Sequence, residues 1–339
     1  MWLGARRMIA STAARGKKPA SATGMKSSSE KPISVAATVS SIVDLASGKK
    51  PLKDALKFYE STTGRAMIWT YSATKKHTDA IASGLLELGY AKGDRIVAWL
   101  PWGSPEFVAL ALASARIGCV LVPVTPPVEK TNADMKEVVA ALDVTSPRGF
   151  VFWHEYALSM TDDSVWRAEE NGFNPLAEKL FPDIREDASG LKGITRLTGV
   201  PFSAARYPKL KHVVHTGSRN YRQLLCYKNL MVYNPTPGAL KAAEEKTSAS
   251  DLFLEDADGK VSLTQADIIA ESKKVFESIK NEHMGLVVPT SSSPQGVLVG
   301  LLAALGKETL CVFPGFASDA TSTQKIAITE AAHVMGASL

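Results

Sequence analysis

The sequence predicts an α/β fold, parallel sheet layers flanked by helices, and three observations carry that reading. Between residues 72 and 124 helical and strand-like segments alternate, helix–strand–helix–strand, the order that builds a parallel sheet. The runs at 95–100 and 119–124 are short and apolar throughout, as buried strands are. Residues that start and stop helices fall where the pattern changes, with Ser104 and Pro105 before one helix and Gly89 and Gly118 after two of them.

The first helix of this block begins near Ser72. Ile81, Leu85 and Leu88, with Ala82, line one of its faces, and Gly89 is placed to end it. After the strand at 95–100, Ser104 can cap the next helix, with Pro105 in its first turn and Gly118 after its last. Trp153, His154, Glu155 and Tyr156 end a later strand, a place where α/β sites gather, although packing is the commoner reason for such aromatics. A stretch at about 155–205 mixes charges and glycines around a short helix opened by Asn174 and Pro175, and reads as an irregular surface insertion. An apolar strand at 252–254 leads through a turn at Gly259 to a helix opening near Asp267. The hydroxyl-rich run from Thr290 through Ser293 to Gly296 reads as a helix-entry turn.

With 339 residues, 45% of them hydrophobic, the chain can build a real core. Its formal charge of +5 comes from one end, since Arg6, Arg7, Arg15, Lys17, Lys18 and Lys26 precede the first acid, Glu30. Taking those six from the 39 basic residues leaves 33 against 34 acidic ones, so the body is neutral and nucleic acid is not an expected partner. Residues 1–30, acid-free up to Glu30 and rich in Arg, Ser and Ala, read as a basic mitochondrial leader or an ordered tail, with one domain over 31–339. Cys119, Cys226 and Cys311 have no paired spacing and read as reduced core residues. The longest apolar run, 108–124, is interrupted by Arg116 and Gly118, so no transmembrane segment is expected. His212 and His215 lie three apart in a strand, which sends their rings to opposite faces and argues against a shared metal.

Residues 69–127, from WTYSATKK through KGDRIVAWL to VLVPVTPP, are similar throughout to the opening of the adenylate-forming domain of acyl-CoA synthetases, luciferases and peptide synthetases. Further matches follow in order. The run 207–214 resembles the strand after the family's P-x-L turn, and 286–289, 296–305 and 310–316 resemble its strand–helix–strand segment. The helix at about 321–335 fits the next family helix. The resemblance implies the N-terminal fold of that family over about 50–335, incomplete at the C-terminus because the later family motifs have no match.

Where the family reads approximately YTSGTTGxPKGVxLTH, this chain reads DLFLEDADGKVSLTQ. A phosphate loop works through glycine, hydroxyls, backbone N–H groups and a lysine. Glu255, Asp256 and Asp258 replace most of these, leaving Gly259, Lys260 and Thr264. At about 6 Å and an effective dielectric near 20, each like-charge pair costs about 3 kcal/mol. An EF-hand register also fails, because it puts Leu254 and Gln265 where calcium needs carboxylates. The resemblance with this substitution implies a pseudoenzyme without catalytic residues, metal or cofactor, and small-molecule binding is not expected. The expected role is a structural subunit of a large mitochondrial complex, such as the ATP synthase or a respiratory complex, on the matrix side, with other protein subunits as partners. Two alternatives stay open: a metabolite-binding module retaining an acyl, CoA or adenosine pocket, and an acyl-CoA synthetase completed in trans.

Overall fold

Strand β3 (Arg95–Trp99) shows how the molecule is layered: Ile96 and Ala98 point into one hydrophobic cluster, Val97 and Trp99 into another. A strand alternates its side chains between two faces, so a strand with apolar groups on both must be covered on both. The computed structural model describes residues 31–60, 64–127, 135–154, 174–182, 202–279, 284–289, 293–315 and 318–335. The predicted leader, most of the insertion and Thr290 to Ser292 lie outside the described residues.

Seven strands form one sheet. In spatial order these are β7 (Leu225–Cys226), β6 (His212–His215), β5 (Gly149–Phe152), β3, β4 (Val120–Pro123), β8 (Leu252–Glu255) and β9 (Ser262–Thr264). All pairings are parallel except that of β8 with β9. A second sheet orders β12 (Ala332–Val334), β10 (Gly285–Val287), β11 (Leu310–Phe313), β1 (Asp54–Tyr59) and β2 (Ala66–Thr70), with β2 antiparallel at its edge.

Between the sheets lies a helical layer. It includes α2 (Val39–Lys49), α3 (Tyr71–Glu87), α4 (Pro105–Ile117) and α9 (Pro294–Lys307), which share a core with Ile96 and Leu121 of one sheet and Leu56, Leu286 and Phe313 of the other. Burial from all sides explains why α4 is apolar around its circumference, with every residue from Phe107 to Ile117 buried. The one charge within that buried run, Arg116, is 1% exposed and held by Asp44, Asp79 and Glu244. A buried cation persists only when so paired. Ser104 caps α4 through a hydrogen bond from the Phe107 N–H (3.1 Å), and Gly118 ends it at φ +74, both as the sequence predicts. The remaining helices are α1 (Pro32–Val35), α5 (Lys136–Thr145), α6 (Pro175–Leu180), α7 (Ala239–Glu244), α8 (Gln265–Ser278) and α10 (Ala320–Thr329).

Asn174 caps α6 and Ser293 caps α9, so the predicted helix entries stand. The helix expected to 335 instead stops at Thr329. Ala331 takes a left-handed φ of +47, and 332–334 pair with β10 as β12. The hairpin of β1 and β2, which supplies one wall of the site below, has no counterpart in the sequence reading. Among the described residues no helix is long and apolar enough to cross a membrane.

Candidate functional site

The parallel strands β1, β3, β5 and β11 end around a common cavity of about 380 Å³. Their direction decides this, because loops at the C-terminal ends of parallel strands diverge and leave a crevice there. After β3 the chain turns through Pro101, Trp102, Gly103 and Ser104 into α4; Trp153 follows β5 and Gly315 follows β11. The β1–β2 hairpin contributes Phe58, Tyr59, Glu60, Arg65, Ala66 and Met67. Phe58 stacks on Phe313 at 5.2 Å and meets Trp69 edge-on at 5.1 Å, which fixes an aromatic wall. Gly103 sits at φ +83, and a Cβ there would lie 2.9 Å from the Phe313 ring, so only glycine fits without displacement.

Glu60, Arg65 and Ser104 put polar groups in this lining, and the Tyr59 hydroxyl reaches outside it to Glu330. Glu330, at the end of α10, accepts from Lys57 Nζ at 2.7 Å and from the Tyr59 hydroxyl. Burial works to raise the Glu330 carboxyl, but the hydrogen bonds from Lys57 and Tyr59 outweigh it and hold it below the usual carboxylate value. Burial and the Glu330 hydrogen bond push the Tyr59 phenol up, so at neutral pH it stays protonated. In addition, the indole N–H groups of Trp102 and Trp153 are buried with no acceptor among the described residues.

The residues singled out for the phosphate loop lie elsewhere. Glu255, the last residue of β8, is ion-paired at 2.6 Å with Arg95, the first residue of β3. Asp256 accepts from the Val261 N–H at 3.0 Å, closing the β8–β9 turn, and Gly259 follows at φ +72. Asp258 pairs with Lys260 at 2.5 Å; that hydrogen bond lowers the carboxyl and raises the ammonium. Thr264 caps α8, accepting from the Asp267 N–H at 3.2 Å. Gly259 faces Val144 near the end of α5, which is where the turn packs. None of the six residues lines the cavity.

His212 and His215 pack apart as expected, the first against Tyr90 and the second against Tyr221. Burial, then the charges of His154 and Lys228, pushes the His215 imidazole down to about 4. Among the described residues no group of three or more His, Cys, Asp or Glu could hold a metal ion. Of the aromatic cluster noted at the end of β5, Trp153 is a cavity wall rather than simple packing, and its position after a parallel strand was the available signal. Glu155 and Tyr156 lie outside the described residues. Trp102, Tyr59 and Glu330 carried no comparable signal, because each acquires its role only when separate elements meet.

Residues 44–175 match the AMP-binding enzyme family. Mouse medium-chain acyl-CoA ligase ACSF2, mitochondrial, is 31% identical over 213 residues, 61% of this chain and 33% of the mouse protein. The fold is similar to the Mycobacterium tuberculosis fatty acyl CoA synthetase, with TM-score 0.52 and 16% identity over 86% of this chain and 47% of that one. It is likewise similar to the inhibitor-bound N-terminal domain of FACL13 from the same organism (TM-score 0.54, 16% identity, 87% and 61% covered). The chain thus spans about a third of the length of the mouse ligase it matches.

These matches overturn two expectations. The chain is similar to acyl-CoA ligases, and none of these comparisons points to a structural subunit of the ATP synthase or of a respiratory complex. The pseudoenzyme reading falls with it. Its physical premise, carboxylates crowding a ligand, also meets a different geometry, since Glu255 and Asp258 are each neutralised by a cation of their own.

Proposed function

We propose that the chain is a member of the adenylate-forming, AMP-binding enzyme family and supplies the acid-binding portion of an acyl-CoA ligase. The reaction of the whole protein is then the ATP-dependent joining of a carboxylic acid to coenzyme A. One observation carries the reading: the matched segment, 44–175, contributes most of the residues that line the 380 Å³ cavity. Its volume lies within the range of small-molecule sites, and its walls are mostly hydrocarbon and aromatic, as an acyl tail requires.

A medium-chain fatty acid is the substrate class this reading favours, supported by the likeness to a ligase of that name. The phosphates of ATP need a cradle of converging donors. Among the described residues, the charged groups of the 255–260 turn already have partners, so the reading assigns no phosphate contact to it and rests on the acid end alone. The basic, acid-free N-terminal composition and the mitochondrial relative support a mitochondrial location, on the matrix side, which protease protection of isolated mitochondria tests.

Calorimetric titration of the full chain with octanoate tests the central reading. Saturable binding in the micromolar range is expected, and octanoate-dependent release of pyrophosphate from ATP would extend it to catalysis. Absence of octanoate binding refutes the assignment.

A further inference from the structure

The cavity wall holds two donors that a purely apolar acyl pocket does not need. Trp102 and Trp153 both line it, and neither indole N–H has an acceptor among the described residues. An indole nitrogen can only donate, and a buried donor without an acceptor bears its full desolvation cost. Two such groups in one wall suit a ligand end that only accepts.

The fold brings them together from separate turns. Strands β3 and β5 are neighbours with Trp99 opposite Phe152, and the backbone N–H of Trp153 donates to the Trp99 carbonyl at 3.0 Å. Trp102 leaves the end of β3 and Trp153 the end of β5, so both rings stand over the same rim. As the rings stand both indole nitrogens are buried; the Trp torsion about Cβ–Cγ is broad, and contact with a ligand requires each ring to turn so that its N–H meets it. Across the cavity, Phe58 and Met67 offer hydrocarbon.

We propose that the indole N–H groups of Trp102 and Trp153 hold the carboxylate oxygens of the substrate acid, with its tail against Phe58 and Met67. The inference rests on the acid-binding reading above and adds the orientation of the acid and the residues that hold its head.

Full-length Trp102→Phe and Trp153→Phe chains keep the ring and lose the donor. They are titrated with octanoate and with octylamine, whose ammonium can only donate. Each variant is expected to weaken octanoate about tenfold, as loss of a hydrogen bond to a charged group does, while octylamine binding stays the same or improves. Thermal unfolding accompanies each titration; a variant with a lowered midpoint is replaced by the Trp→His substitution, whose ring restores a donor and is expected to recover octanoate affinity. Octanoate affinity within twofold of the parent in both Phe variants overturns this inference and leaves the acid-binding reading intact. No octanoate binding by the parent chain, or equal binding of octylamine, overturns both.

Discussion

After β3 and β5 the backbone opens into a cavity bounded by Phe58, Trp102 and Trp153, whereas the turn after β8 closes on itself. The acidic turn looks more functional by residue type, with three carboxylates, a lysine and a glycine in six positions. Yet Arg95 takes Glu255, Lys260 takes Asp258 and a backbone N–H takes Asp256. The aromatic rim looks like packing by residue type, and it is there that space and unmatched donors coincide. Charge that is matched locally holds a structure together. Polar groups left unmatched beside a cavity are available to a ligand.

The strongest way to break this contrast is Gly103→Val. A side chain at φ +83, aimed at Phe313, combines backbone strain with overpacking and should destabilise the chain by about 3 kcal/mol. Urea unfolding reads that loss, and calorimetry should show octanoate binding abolished. A variant of unchanged stability and affinity would mean that the rim is loosely built. Glu255→Gln in the acidic turn should cost about 1 kcal/mol by weakening a half-buried charge-assisted bond to Arg95, while octanoate affinity stays within twofold. Loss of affinity there would tie the acidic turn to the site.

Acid titration separates the two regions further. The Glu330 carboxyl is held below its ordinary value in the folded chain, so its contribution is present above the unfolded value of about 4.3. That contribution is lost as pH falls through the lower, folded value. Glu330→Gln should therefore lower stability at pH 7 and flatten the fall in unfolding free energy below about pH 4; an unchanged pH profile would show that Lys57 and Tyr59 do not hold it. The smallest effect is expected at Lys260→Ala. Its ion pair with Asp258 is exposed and screened by water, so neither unfolding midpoint nor octanoate affinity should move measurably.

Much of the fold could be read from the chain because its signals are local. Ser104, Pro105 and Gly118 bound α4 through backbone chemistry that needs no distant partner, and the apolar runs of β3 and β4 announce strands covered on both faces. The end of α10 could not be read this way. Residues 332–334 leave the helical course to pair with β10, and strand pairing between distant segments leaves no short-range trace.

The site divides along the same line. The family likeness and the place of Trp153 after a strand are properties of the chain itself. The partner of Glu255, 160 residues away in Arg95, and the meeting of Phe58, Trp102, Trp153 and Gly315 around one space are products of folding. By itself the sequence determined the helices and strands of the 72–124 block and which side chains are charged, since those depend on each residue and its near neighbours. Only the tertiary structure decided which charges are neutralised and where a cavity remains, because both depend on distances between residues far apart along the chain.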